Sequence, residues 1–185
     1  MNYRVLGVDQ GFQYIELDVR TTADDELVVI HDAELLRTTS VNALVMDKTL
    51  AEIQSLDAGS WFDEKFTGER IHTLGEVFER YKDKLHFHIE IKSKEAEGLA
   101  SRTCDLVREY GVADATTITS FWKPWLTESR SYAPEIPTGW LVPLGYENPW
   151  EDTIIEEALS EGFSQICPRA SLISPDLVNT LHDHG

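Results

Sequence analysis

Positive charge is scarce in this chain: 16 Lys and Arg stand against 33 Asp and Glu, a formal net charge of −17. A surface this acidic repels phosphate backbones and anionic lipid, which argues against nucleic acid and membrane surfaces as partners. Phosphate chemistry on such a chain needs a local positive centre, and a divalent cation held by some of the carboxylates would supply one. Cysteine is nearly absent: Cys104 and Cys167 are far apart, with no CxxC or Cys/His spacing. Two buried free thiols are expected, with a disulfide as the alternative. No stretch approaches the ~20 apolar residues of a membrane span. The first residues show no charged segment leading into an apolar core, so a cytoplasmic location is expected. A glycine-rich GxGxxG turn is also missing, which leaves a dinucleotide-binding sheet without support.

What is present is a regular alternation. Hydrophobic residues make up 42% of 185 positions and are spread along the whole length, as in one globular domain over residues 1–185. The apolar period switches between two and about 3.6. Strands are expected at residues 14–19, 27–31, 86–92, 116–121, 138–142 and 163–167. Helices are expected at 50–56, 73–81, 95–110, 124–132, 153–161 and 175–182, and residues 2–10 read as the end of a helix stopped by Gly11. Thr73 and Glu76 have the spacing of a capping box. Alternating strands and helices imply a parallel sheet covered by helices. Six such strands amount to about three quarters of a (β/α)8 TIM-type barrel of ~250 residues.

Three clusters carry chemistry. In residues 15–19, Glu16 and Asp18 share one strand face while Ile15, Leu17 and Val19 take the other. Two carboxylates side by side on an inner barrel face repel unless a cation lies between them. The alternative is a half-exposed edge strand with its polar face in water. In residues 27–32, an apolar run ends in His31-Asp32, which would place the imidazole at the C-terminal end of a buried strand, where barrel active sites are built. In residues 88–92, Glu90 and Lys92 share a face at the end of their strand, either as a simple ion pair or as a metal ligand beside a group for substrate charge. His86 and His88 lie deeper on that face and read as core or supporting residues. Three carboxylates suit a hard cation, Ca²⁺ or Mg²⁺, and a histidine beside it is equipped for proton transfer.

These residues resemble a known family. The run ELDVRTTADDELVVIHDAELLRTT (16–39), then DAGSWF (57–62), Thr73-Leu74 and IEIK (89–92) are similar to the signature of the glycerophosphodiester phosphodiesterases. Weaker echoes follow at Ser120-Phe121, at 137–141 and in the final LVNTLHDHG. The resemblance implies a (β/α)-barrel enzyme that cleaves glycerophosphodiesters to glycerol 3-phosphate and an alcohol. It implies Glu16, Asp18 and Glu90 as metal ligands, His31 as one of two catalytic histidines, and Lys92 as a contact for the substrate phosphate. In the family mechanism a substrate hydroxyl attacks phosphorus, the two histidines serve as base and acid, and a cyclic phosphate is then hydrolysed.

The sequence departs from the family at both ends. Family members open with a strand bearing His-Arg-Gly, followed by Pro-Glu-Asn-Thr, and close with a strand bearing a tryptophan. None of these is found here, and His72 stands where proline usually precedes Thr-Leu. The expectation is therefore an incomplete barrel with residues 14–19 and 163–167 as open edges and self-association through them. A piece of a full enzyme is the favoured reading, and the competing ones are a barrel completed by another chain and a remnant that binds metal and phosphate without turnover. A phosphoinositide- or sphingolipid-cleaving relative is disfavoured by the lack of a basic or apolar membrane-facing patch.

Overall fold

Strict alternation in Tyr-Ile-Glu-Leu-Asp-Val-Arg-Thr produces an eight-residue strand, β1 (Tyr14–Thr21). Leu17 and Val19 are buried on one side, while Glu16 and Asp18 occupy the other. The structure is a computed structural model that describes residues 8, 10–92, 97–143 and 151–183, with side chains from residue 154 in the last stretch. Most of the helix expected at residues 2–10 lies outside the described residues, although Gly11 has the positive φ of a helix stop (+82°).

Five further strands join β1: β2 (Leu27–Val29), β3 (His86–Ile91), β4 (Thr116–Ser120), β5 (Thr138–Leu141) and β6 (Gln165–Cys167). They form one sheet in the order β2-β1-β3-β4-β5-β6. Every pair from β1 through β6 in that order is parallel, with the expected strand positions kept to within a few residues. Parallel neighbours need crossovers, and helices supply them: α3 (Leu74–Tyr81), α4 (Leu99–Glu109), α5 (Lys123–Tyr132) and α6 (Glu151–Glu161), with α7 (Pro175–Asp183) following β6. Two short helices, α1 (Leu36–Thr39) and α2 (Leu50–Gln54), sit in the irregular stretch before α3. This is the incomplete α/β barrel wall the sequence implies.

The main core lies between the sheet and its helices. Phe87, Ile89 and Ile91 of β3 are fully buried or nearly so, and so are Ile118, Trp140, Phe78, Leu99, Val107 and Leu126. Phe78 of α3 meets Phe87 edge-on, with ring centroids 5.1 Å apart. The α3 N-terminus carries the expected capping box, Thr73 with Glu76, and α2 has a second one, Thr49 with Glu52. A smaller core of Val28, Ile30, Leu35, Val45, Ile53 and Ile71 holds the stretch between β2 and α3 together.

One strand departs from expectation. β2 is three residues long and runs antiparallel to β1, with Val19 opposite Val29 and Thr21 opposite Leu27. The link between them is five residues, too short for a crossover, and Asp25 turns it at φ +63°. The expected open edge at residues 14–19 is thus covered only at its C-terminal end: β2 pairs with residues 19–21, and the Ile30 N–H donates to the Asp18 carbonyl at 3.0 Å. His86 is a second correction. It is exposed and stacked on Tyr14 at 4.8 Å, rather than part of a core, because no described residue packs over that end of the inner face. The two cysteines are free thiols, Cys104 buried and Cys167 half-buried, and burial pushes the Cys104 thiol up to about 11.

Candidate active site

The parallel register of β1 with β3 sets Glu16 opposite His88 and Asp18 opposite Glu90. Because all four point away from the helix-packed face, alternation brings the carboxylates of Glu16, Asp18 and Glu90 together. One oxygen from each lies within 4.8 Å of the others. Lys92, just past the end of β3, reaches back between them, with Nζ 2.9 Å from Glu90 Oε1 and 3.3 Å from Asp18 Oδ1. These three side chains are largely buried, at 14% exposure for Lys92, 15% for Asp18 and 9% for Glu90.

The electrostatics follow from this crowding. Burial, then repulsion from Asp18 and Glu90, holds the Glu16 carboxyl above its usual range. Burial also raises Glu90, although the Lys92 ammonium opposes the shift. For Lys92, burial alone would lower the value, but the hydrogen bond and charge of Glu90 and the charge of Asp18 carry it above the usual lysine range. Three carboxylates and one ammonium leave a formal charge of two minus, which a divalent cation complements. Hard oxygen donors at this spacing suit Ca²⁺ or Mg²⁺ rather than a thiolate-seeking metal.

His31 lines the same cavity, a space of about 430 Å³ bounded by Glu16, Asp18, His88, Glu90 and Lys92 and, opposite, by Phe121 and Leu141. It arrives there by a different route from the expected one. It is not at the end of a parallel strand; the antiparallel turn-back of β2 returns the chain beside Asp18, two residues beyond the strand. The His31 carbonyl accepts from Arg20 Nε at 2.9 Å, and its ring Nδ1 lies 2.8 Å from Asp32 Oδ1. Asp32 also accepts from Arg37 Nε at 2.5 Å, and with Arg37 and His31 beside it the carboxyl falls to about 2. Burial, then the neighbouring His86, lowers the pKa of His88.

All five residues singled out from the sequence therefore meet at one place. The residues the sequence reading left without a role are Arg20, Arg37, Thr119, Phe121, Leu141 and Cys167. The last four line the cavity because period-two alternation continues along β4, β5 and β6, with Thr119 beside Gly139 and Leu141 beside Cys167 in register. That alternation was available in the sequence, but short strands with apolar residues on both faces hide it.

An acidic cavity holding one ammonium and two imidazoles, at the C-terminal ends of parallel strands backed by helices, is the arrangement of a (β/α)-barrel hydrolase. Comparison with known proteins narrows the class. The model of the glycerophosphoryl diester phosphodiesterase family matches residues 6–185, and the chain belongs to that family. A glycerophosphodiester phosphodiesterase of Caldanaerobacter subterraneus subsp. tengcongensis is 39% identical over 181 residues, covering 96% of this chain and 72% of its own length. A Bacillus subtilis relative of the same name is 30% identical over 191 residues, and this chain spans 64% of it. Among solved structures, the glycerophosphodiester phosphodiesterase of Agrobacterium tumefaciens strain C58 superposes with a TM-score of 0.81 at 30% identity, covering 97% of this chain and 74% of that one. A phosphodiesterase of Oleispira antarctica, solved with the product sn-glycerol-3-phosphate, gives 0.82 at 26% identity over 97% of this chain and 72% of that chain. Among the described residues, no helix is long and apolar enough to cross a membrane.

Proposed function

We propose that this chain is a glycerophosphodiester phosphodiesterase that releases glycerol 3-phosphate and an alcohol with the help of a divalent cation. The observation that carries the reading is the convergence of Glu16, Asp18 and Glu90 around Lys92 in a cavity that His31 also lines. The three carboxylates would hold the cation, Ca²⁺ or Mg²⁺, which when bound supplies positive charge to phosphoryl oxygens and acidifies a substrate hydroxyl. Lys92 Nζ offsets charge that builds on the phosphoryl group in the transition state. His31 moves the proton through its ring: the nitrogen not engaged by Asp32 takes it from a hydroxyl or returns it to the leaving alkoxide. Phe121 and Leu141 form an apolar wall opposite the carboxylates, on which the carbon skeleton of the substrate can rest.

The experiment is release of glycerol 3-phosphate from glycerophosphocholine by the purified chain with Ca²⁺ or Mg²⁺, with Glu90→Gln as control. Turnover that needs the cation and disappears in the variant supports the reading; cation-independent turnover equal in both would overturn it. A second reading has its own observation: among the described residues β6 has no strand on its outer side, and a shallow apolar groove beside it, lined by Ile155, Leu159, Phe163, Ile166, Val178 and Leu181, is open. On that reading a partner surface, including a second copy of the chain, completes the wall, and turnover rises with protein concentration.

A further inference from the structure

We infer that Asp32, clamped by Arg37, is a positioning residue that holds the His31 ring in the tautomer with the proton on Nδ1, so that Nε2 is the nitrogen presented to the cavity. The inference rests on the reading of His31 as the proton-transfer group.

Packing does not orient this ring. The His31 side chain is 62% exposed, so its rotamer and tautomer are set by hydrogen bonding. Among the described residues, the one hydrogen bond to the ring comes from Asp32, Nδ1 to Oδ1 at 2.8 Å. An ionised carboxylate only accepts, so Nδ1 must be the donor. Asp32 stays ionised far below neutrality, at about 2. A half-buried aspartate with one partner could still turn about its side-chain bonds and leave such a contact weak. Here its other oxygen is engaged by Arg37 Nε at 2.5 Å, which fixes the carboxylate plane.

Arg37 is held in turn. Its guanidinium lies 5.2 Å from the Trp61 ring centroid, and the indole N–H donates to the Ala58 carbonyl at 2.9 Å. The loop that carries Trp61 is pinned by Asp57, which accepts from the backbone N–H groups of Gly59, Ser60 and Gly68. Glycine at 59 is required there, since a Cβ would sit 2.0 Å from the Phe66 carbonyl oxygen. From the backbone side, Arg20 grips the His31 carbonyl. The backbone and the ring of His31 thus have separate partners, Arg20 and Asp32.

The test is ¹⁵N NMR of the full chain at alkaline pH, with the His31 signals assigned by their loss in His31→Gln. The expected wild-type spectrum has the proton on Nδ1. In Asp32→Leu the proton should move to Nε2, the tautomer that free histidine prefers. Should that variant not fold, Arg37→Gln is expected to give a mixture of the two. A wild-type ring with its proton on Nε2 overturns the inference, as does a tautomer that survives Asp32→Leu. Kinetics supply the second arm: Asp32→Asn should lower kcat by about 10²-fold or more with KM nearly unchanged, because the substituted amide can present its donor edge and favour the wrong tautomer. An unchanged kcat would overturn the positioning role. Full turnover by His31→Gln would instead sink the assignment of His31, while the NMR arm would still decide what Asp32 does to the ring.

Discussion

Lys92 Nζ lies 2.9 Å from Glu90 Oε1, an ion pair between residues two apart on one strand run that also reaches Asp18 on the next strand at 3.3 Å. Asp18 joins the pair because Asp18 and Glu90 are direct neighbours in the β1–β3 register. It ties the proposed metal ligands to the proposed phosphate contact. A change at any one of them alters the field at the others, and the first two predictions use that coupling.

Glu90→Gln removes one of three charged ligands and frees Lys92 from its nearest partner. Divalent affinity should fall at least about tenfold, read by calorimetric titration of Ca²⁺ and Mg²⁺. Protons compete for the same oxygens, since Glu16 and Glu90 both sit above the ordinary carboxylate range. Wild-type affinity should therefore weaken as pH falls toward that raised range. Unchanged affinity in the variant would dismiss the three-carboxylate site.

Lys92→Met has opposite effects on the two ligands. Without the ammonium, three carboxylates face each other with less compensation, so cation binding should tighten. Phosphate recognition loses its charge partner, so KM for glycerophosphocholine should rise. Calorimetry and steady-state kinetics on one preparation check both, and a variant that weakens cation binding would refute the shared field.

Asp57 should matter to stability in a pH-dependent way. Three backbone N–H groups, those of Ser60, Gly59 and Gly68, hold its carboxyl down to about 2. A depressed value stabilises the fold above the ordinary carboxylate range, and this is lost as pH falls through about 2. Asp57→Ala should lower the Tm at neutral pH and expose the 57–69 loop to proteolysis. The Tm difference should shrink as the pH approaches 2. A constant difference across that range would mean the carboxylate is not what holds the loop.

Phe87 supports the site from behind. It is fully buried on the helix-facing side of the strand that carries Glu90. Phe87→Ala should cost about 3–5 kcal/mol in urea unfolding. A loss under about 1 kcal/mol would mean that the layer between β3 and α3 is not packed as described.

Much of this was legible in the chain. Period-two alternation placed Glu16 with Asp18 and Glu90 with Lys92, and the capping box at Thr73 and Glu76 marked the start of α3 to the residue. His31 was found for the wrong reason. A run of apolar residues ending in histidine reads the same whether the strand runs parallel or doubles back, and the five-residue link decides between them only when its length is weighed. Arg37 and Trp61 were invisible as a pair, because their contact joins the short helix α1 to a loop 24 residues on through a cation–π geometry that leaves no periodic trace.

The sequence by itself determined the alternating α/β class, the family resemblance, and which side chains share a strand face, since those follow from local periodicity and residue chemistry. Only the tertiary structure decided that β1 and β3 are neighbours in a register that sets Asp18 against Glu90, that β2 folds back to deliver His31, and that Arg37 steadies Asp32. Strand adjacency, chain direction and contacts between irregular segments are set by how the whole core closes. No local stretch of residues encodes that.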